Sequence, residues 1–141
     1  MLYDLAPATA GAPEVLRAAG VTERCAIENG SFFDSVPPGA DVYVLKNIIH
    51  DWPDESALTI LRAVRAALRP DGRLQLIECL IPEQRNTSHL SLTLDLHVLL
   101  TIGGRERTAT EYRALLGAAG FGAARIIATA APLSIIEAAP A

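Results

Sequence analysis

DVYVLKNIIHDWPDESALTILRAVRAALRPDGRLQLIECL, residues 41–80, decides the fold. Asp41 to Lys46 is a short apolar run bounded by turn residues, which is a strand signal. From Asp54 to Leu68 the period changes. Leu58, Leu61, Val64, Ala67 and Leu68 fall on one helical face, while Arg62, Arg65 and Arg69 lie elsewhere. Pro53 and Asp54 open this helix and Pro70-Asp71-Gly72 closes it. Arg73 to Leu80 then reads as strand again. The runs VYVL and LIECLI do not alternate, which suits strands buried on both faces of a mostly parallel sheet.

The same alternation extends outward. Further strand signals are Leu2 to Asp4, Cys25 to Glu28, Ala123 to Thr129 and Pro132 to Ala138, and shorter helices are expected at Pro13 to Ala19, Leu90 to Leu100 and Thr110 to Ala119. Thr108 to Glu111 is a T-x-x-E capping box, with Gly120 as the matching C-terminal stop. Strand and helix in turn predict an α/β doubly wound sheet with crossover helices. The last two strands are joined by only a few residues around Ala130 to Pro132, so they must pair antiparallel or splay apart. The polar loop Pro82 to Ser88 is expected to be the most mobile segment.

With 141 residues the chain fits one domain, 1–141, against a usual ~150 residues per domain. Half of the residues are hydrophobic and a fifth are charged, which excludes disorder as the main story. Twelve Lys and Arg against sixteen Asp and Glu give a net charge of −4, so no basic field is available to hold nucleic acid. No apolar run approaches the ~20 residues that span a bilayer, and no signal peptide is recognisable, so a soluble cytoplasmic protein is expected. Cys25 and Cys79 stand far apart without metal-ligand spacing and read as core thiols.

LKNIIHDW, residues 45–52, runs off the C-terminal end of a strand, where open α/β sheets bind ligands. It brings Lys46, His50, Asp51 and Trp52 to that edge, although a histidine before an acid and a proline-led helix is also ordinary loop chemistry. Glu78 lies inside an apolar strand, where an unpaired charge is costly, so it needs a partner such as an imidazole. Glu106, in GGRERT, follows Gly103 and Gly104, which permit close approach, and is flanked by Arg105 and Arg107. A solvated charge cluster before a helix cap accounts for that stretch equally well.

VPPGADVYVLKNIIHDWPDESALTILRAVRAALRPDGRLQLIE, followed by LDLHVLLTIGGRERTATEYRALLGAAGF, resembles the later part of the S-adenosylmethionine-dependent O-methyltransferases of the plant caffeate and bacterial polyketide-tailoring type. The resemblance runs over essentially the whole chain, with three separated motifs in the family's order. It implies a Rossmann-like class I methyltransferase sheet and S-adenosyl-L-methionine as cofactor. His50 would be the general base on a hydroxyl of an aromatic or polyketide-like small molecule, with Glu78 and Glu106 flanking and orienting its ring. Asp4 matches the acid that meets the cofactor ribose, and Ser31 and Phe32 match the pair beside the adenine. Lys46 and Trp52 match further cofactor contacts. Asp51, Asp95 and Val98 would line the acceptor pocket. Phe32 and Phe33 also fit a plain core role.

Two departures stand out. Ser31 occupies a position where the family commonly has an acid. The family's first, central strand with its glycine-rich loop has no counterpart here, nor does the N-terminal helical domain, so the sheet is expected to be incomplete. The absent strand would lie between those matched by Leu2 to Asp4 and Asp41 to Lys46, leaving two open edges. Activity is then expected to need a complementing N-terminal polypeptide. A homodimer is a further expected partner arrangement. The alternative reading is a non-catalytic fragment or interaction module that pairs through its open edge with a complementary chain.

Overall fold

A computed structural model describes residues 1–84 and 89–141. The chain begins with β1 (Leu2–Asp4), α1 (Ala6–Thr9), α2 (Ala12–Ala18) and β2 (Ile27–Asn29). Next come β3 (Val42–Lys46), α3 (Asp54–Ala67) and β4 (Arg73–Ile81). It ends with α4 (His89–Ile102), β5 (Arg107–Thr108), α5 (Ala109–Ala118), β6 (Arg125–Ala128) and β7 (Leu133–Ala138). Most of the polar loop expected to be mobile, residues 85–88, lies outside the described residues.

The strands form two sheets. β1 and β2 pair in parallel as a two-stranded ribbon. The larger sheet has the order β3-β4-β7-β6, with β5 extending β4 at its far end. β3 and β4 are parallel across α3, with Val44 opposite Gln75, while β7 is antiparallel to both β4 and β6. Of the two outcomes expected for the tight link before β7, antiparallel pairing or splaying, the structure shows the first.

α3 buries Ala57, Ile60, Leu61 and Val64, and Leu68 just beyond its end is buried too. The face is rotated slightly from the sequence expectation: Ile60 at its edge is fully buried and Leu58 only partly. These side chains join Leu45, Leu74 and Leu76 of the sheet and Tyr112, Leu115 and Leu116 of α5 in one core. α5 carries the expected capping box: the Glu111 N–H donates to Thr108 Oγ1 at 3.2 Å and the Thr108 N–H to Glu111 Oε2 at 2.8 Å.

Three expectations are corrected. β3 is not buried on both faces, for Val42 and Val44 are exposed, because they border an unfilled gap between β3 and β1. Cys25 closes a short helical turn and is only partly buried, so Cys79 alone is a core thiol. α1 and β5 were not expected: α1 is one turn with proline near its start, and β5 is two residues long, below any periodic signal.

Between β1 and β3 lies a cavity of about 310 Å3, bordered by Met1 to Asp4 on one side and Val42 to Lys46 on the other. The two sheets part where a further strand was expected to be missing.

Candidate active site

The site begins where β3 ends. Asn47 takes a positive φ of 53°, a conformation asparagine tolerates better than most residues, and its N–H still bonds Ile77 O at 3.0 Å. The chain then coils into one 3-10 turn, Ile49–Asp51, which places His50 beside β4. Glu78, fully buried on β4, fixes this turn: its Oε1 accepts N–H bonds from Ile48 at 3.2 Å and Ile49 at 2.9 Å. Its Oε2 faces His50 Nδ1 at 3.7 Å.

Glu106 arrives from the other side. Its Oε1 lies 2.9 Å from His50 Nδ1, and its backbone N–H donates to Asp95 Oδ1 of α4 at 2.8 Å. The approach is close enough to require glycine at 104, since a Cβ there would sit 2.1 Å from the His50 carbonyl oxygen. The Arg105 N–H donates to that same carbonyl at 2.8 Å. His50, Glu78 and Glu106, far apart in sequence, thus converge, with donor atoms all within 4.8 Å of one another.

The carboxylate of Glu106 on Nδ1 raises the His50 pKa above the ordinary imidazole value, more than burial lowers it. Asp51 adds to this, its Oδ1 lying 3.1 Å from His50 Nε2. Burial pushes the Glu78 carboxyl up to about 7, against the opposing pull of His50 and the two amide donors. With Glu106 on Nδ1 and Asp51 near Nε2, the site stabilises the imidazolium that forms when the neutral ring takes up a proton at Nε2.

The remaining predicted site residues fall into three groups. Asp4, Phe32 and Lys46 all border the cavity between β1 and β3, Asp4 and Lys46 each as the last residue of its strand. A carboxylate and an aromatic ring at the C-terminal edge of parallel strands fit the ribose and base of a nucleoside. Ser31 and Trp52 are not among the cavity's lining. The Ser31 hydroxyl accepts the Phe33 N–H at 3.2 Å, and Trp52 packs edge-on against Phe33 and Phe32 with centroids 4.7 and 6.3 Å away. On α4, Asp95 is engaged with Glu106, and Val98 is buried against Gly104.

Sequence reasoning missed Arg107. It is 1% exposed, not part of a solvated cluster, and it donates to the Ile49 and Trp52 carbonyls and to Asp54. No local pattern signals this, since the acceptors lie some fifty residues away and two of them are backbone oxygens.

The model of the O-methyltransferase domain family matches residues 1–122. Phenazine O-methyltransferase PhzM of Lysobacter antibioticus is 40% identical over 140 residues, covering 99% of this chain and 41% of that protein. O-demethylpuromycin-O-methyltransferase of Streptomyces alboniger is 42% identical, covering 99% of this chain and 38% of its own length. Among solved structures, the O-methyltransferase NcsB1 from neocarzinostatin biosynthesis, in complex with S-adenosyl-L-homocysteine and 1,4-dihydroxy-2-naphthoic acid, superposes with a TM-score of 0.87. It shares 33% identity, with 99% of this chain and 41% of that one covered. The chain therefore spans about two fifths of the length of these relatives. Matched over most of its residues in both sequence and fold, the chain belongs to the O-methyltransferase domain family.

Proposed function

We propose that this chain is the base-bearing part of an S-adenosylmethionine-dependent O-methyltransferase acting on a hydroxyl of an aromatic or polyketide-like small molecule. One observation carries the reading: His50 is held at Nδ1 by the buried Glu106, with Glu78 behind it, at the C-terminal edge of the sheet. S-adenosylmethionine, when bound, supplies an electrophilic methyl group. Asp4, Phe32 and Lys46 would hold it, and Ser31 and Trp52 would act more indirectly through Phe33 and Phe32.

The chain's own part in the chemistry is proton transfer. Glu106 keeps the Nδ1–H of His50 in place, which leaves Nε2 to accept the proton of the acceptor hydroxyl. Asp51 Oδ1 lies 3.1 Å from Nε2, so the acceptor hydroxyl would have to take its place there. The imidazolium so formed is stabilised by Glu106 and Glu78, and the oxyanion is left free to attack. Asp51, Asp95 and Val98 would border the acceptor, with Asp95 also fixing the backbone of Glu106.

On this reading turnover needs a further strand between β1 and β3, supplied by additional chain or by a partner polypeptide. The edges of β1 and β3 that border the cavity have backbone groups to pair, and a strand lying between them would join the two sheets. A homodimer and a cytoplasmic location belong to the same reading, and sedimentation and cell fractionation test them.

The decisive experiment measures methyl transfer from S-adenosylmethionine to a dihydroxynaphthoate, with and without a polypeptide carrying a strand and glycine-rich loop. Cofactor binding is followed by isothermal titration. Binding and transfer with the added polypeptide, both lost or strongly reduced in its absence, are expected. His50→Ala should abolish turnover while leaving cofactor binding intact. No binding in either state would sink the enzyme reading and favour a non-catalytic interaction module.

A further inference from the structure

We propose that Arg107 is a positioning residue: its buried guanidinium grips both ends of the turn that carries His50 and so sets the imidazole against Glu106. This rests on the reading of His50 as the general base. Nη1 donates to the Ile49 carbonyl at 3.0 Å and Nη2 to the Trp52 carbonyl at 2.8 Å, so the two bonds bracket His50 and Asp51. Nε and Nη2 also donate to Asp54 Oδ1 at 3.0 and 2.7 Å, at the first residue of α3. One planar fork thus ties the start of the turn, its end and the following helix together.

The chain connectivity gives this grip its consequence. Arg107 directly follows Glu106, and Arg105 just before it donates its N–H to the His50 carbonyl. Three consecutive residues therefore act on one histidine: Arg105 on its carbonyl, Glu106 on its ring and Arg107 on the carbonyls of Ile49 just before it and Trp52 two residues beyond. A shift of the turn relative to this segment would separate Nδ1 from Glu106 Oε1.

A mere space-filling role does not explain the choice of residue. A buried cation carries a large desolvation cost, and an apolar side chain of similar volume would fill the core without it. What arginine adds is a rigid set of donors spread over several acceptors, which lysine, a point charge, cannot reproduce. Arg107→Lys keeps the charge and removes the fork, so it separates geometry from electrostatics.

The test reads the His50 ring in the full chain by nitrogen and proton NMR across pH. Besides Glu106, the charged groups facing the ring are Glu78 and Asp51. The wild type should show a hydrogen-bonded Nδ1–H proton far downfield and a titration midpoint above the ordinary ~6.5. In Arg107→Lys the Nδ1–H signal should move upfield or disappear, and the midpoint should fall toward the ordinary value. The core variant Leu116→Ala, destabilised elsewhere, should leave both unchanged.

A folded Arg107→Lys protein with a wild-type His50 signature overturns the proposal. If that variant does not fold, Arg107→Gln serves in its place: its shorter, neutral amide cannot bridge the Ile49 and Trp52 carbonyls. An unmoved Nδ1–H signal there overturns the proposal equally. Neither readout needs methyl transfer. A displaced Nδ1–H together with no turnover in the complemented wild type would fail the enzyme reading alone. Turnover with an unmoved signal would fail only the positioning role.

Discussion

Glu78 is satisfied on one side only. Oε1 takes two backbone N–H bonds, while Oε2 is buried without a hydrogen bond and faces the His50 ring at 3.7 Å. Burial raises its folded pKa from 4.5 to about 7, so the native state holds a proton that the unfolded chain releases. The associated stability is present below pH 4.5 and is lost as pH rises toward 7, by roughly 3 kcal/mol at ~1.4 kcal/mol per pKa unit. His50, also raised, acts in the same sense: its contribution is present below 6.5 and is lost above its folded pKa. Thermal melts between pH 5 and pH 8 should therefore show stability falling with pH. Glu78→Gln, which can still accept both N–H bonds through its amide oxygen, should flatten most of that slope. A variant as pH-dependent as the wild type would mean that Glu78 ionises freely in the fold. In the complemented enzyme the same logic sets the rate. A base with a raised pKa gains activity as pH rises, and Glu106→Gln should move that acidic limb to lower pH and reduce kcat by less than His50→Ala, whose loss of the base itself is on the scale of roughly 10²-fold or more.

α3 and α5 show how an element positions a side chain it does not carry. α3 starts at Asp54, one of the acceptors of Arg107, and its buried face seats the turn above it in the core. α5 begins immediately after Thr108, so its capping box pins the strand residues that present Glu106 and Arg107. Thr108→Ala should cost ~1 kcal/mol in urea unfolding, the usual loss for an N-cap. Leu61→Ala, which empties fully buried volume, should cost roughly 2–5 kcal/mol. If the two losses were equal, the cap would be carrying tertiary as well as local stability. Both helices were legible in the sequence because their stop and start signals are chemical: Pro53, Pro70-Asp71-Gly72 and the Thr108–Glu111 box. Loop length excluded a parallel β6–β7 pair but left antiparallel pairing or splaying open, and the structure shows the antiparallel pair. The buried face of α3 was legible only to within one position, because Leu58 and Ile60 lie on either side of its boundary and tertiary packing chooses between them. His50, Glu78 and Glu106 could be singled out through resemblance to a family, whereas their mutual geometry depends on contacts 28 to 56 residues apart that no local pattern records.

At the scale of the molecule, the dominant feature is the gap between the two sheets. β3 is the terminal strand of the larger sheet, and Val44 at its centre is 56% exposed, on the wall of the cavity that β1 closes from the other side. A two-stranded ribbon such as β1–β2 is marginal by itself, so its attachment across that cavity is a weak point of the fold. An exposed strand edge with apolar side chains invites pairing with another chain, and natural edges guard against this with lysine. Leu96, Leu99 and Leu100 add a second exposed apolar surface on α4, so self-association of the isolated chain need not run through β3 alone. Val44→Lys separates the two routes. A charge on the β3 wall should reduce the oligomer fraction seen by sedimentation velocity if association proceeds through the strand edge, with secondary structure unchanged by circular dichroism. The same lysine becomes buried once a strand occupies the gap, so binding of the complementing polypeptide should weaken by tenfold or more. Reduced self-association with undiminished complementation would show that the partner strand does not enter between β1 and β3. An unchanged oligomer fraction would instead assign the contact to the leucines of α4.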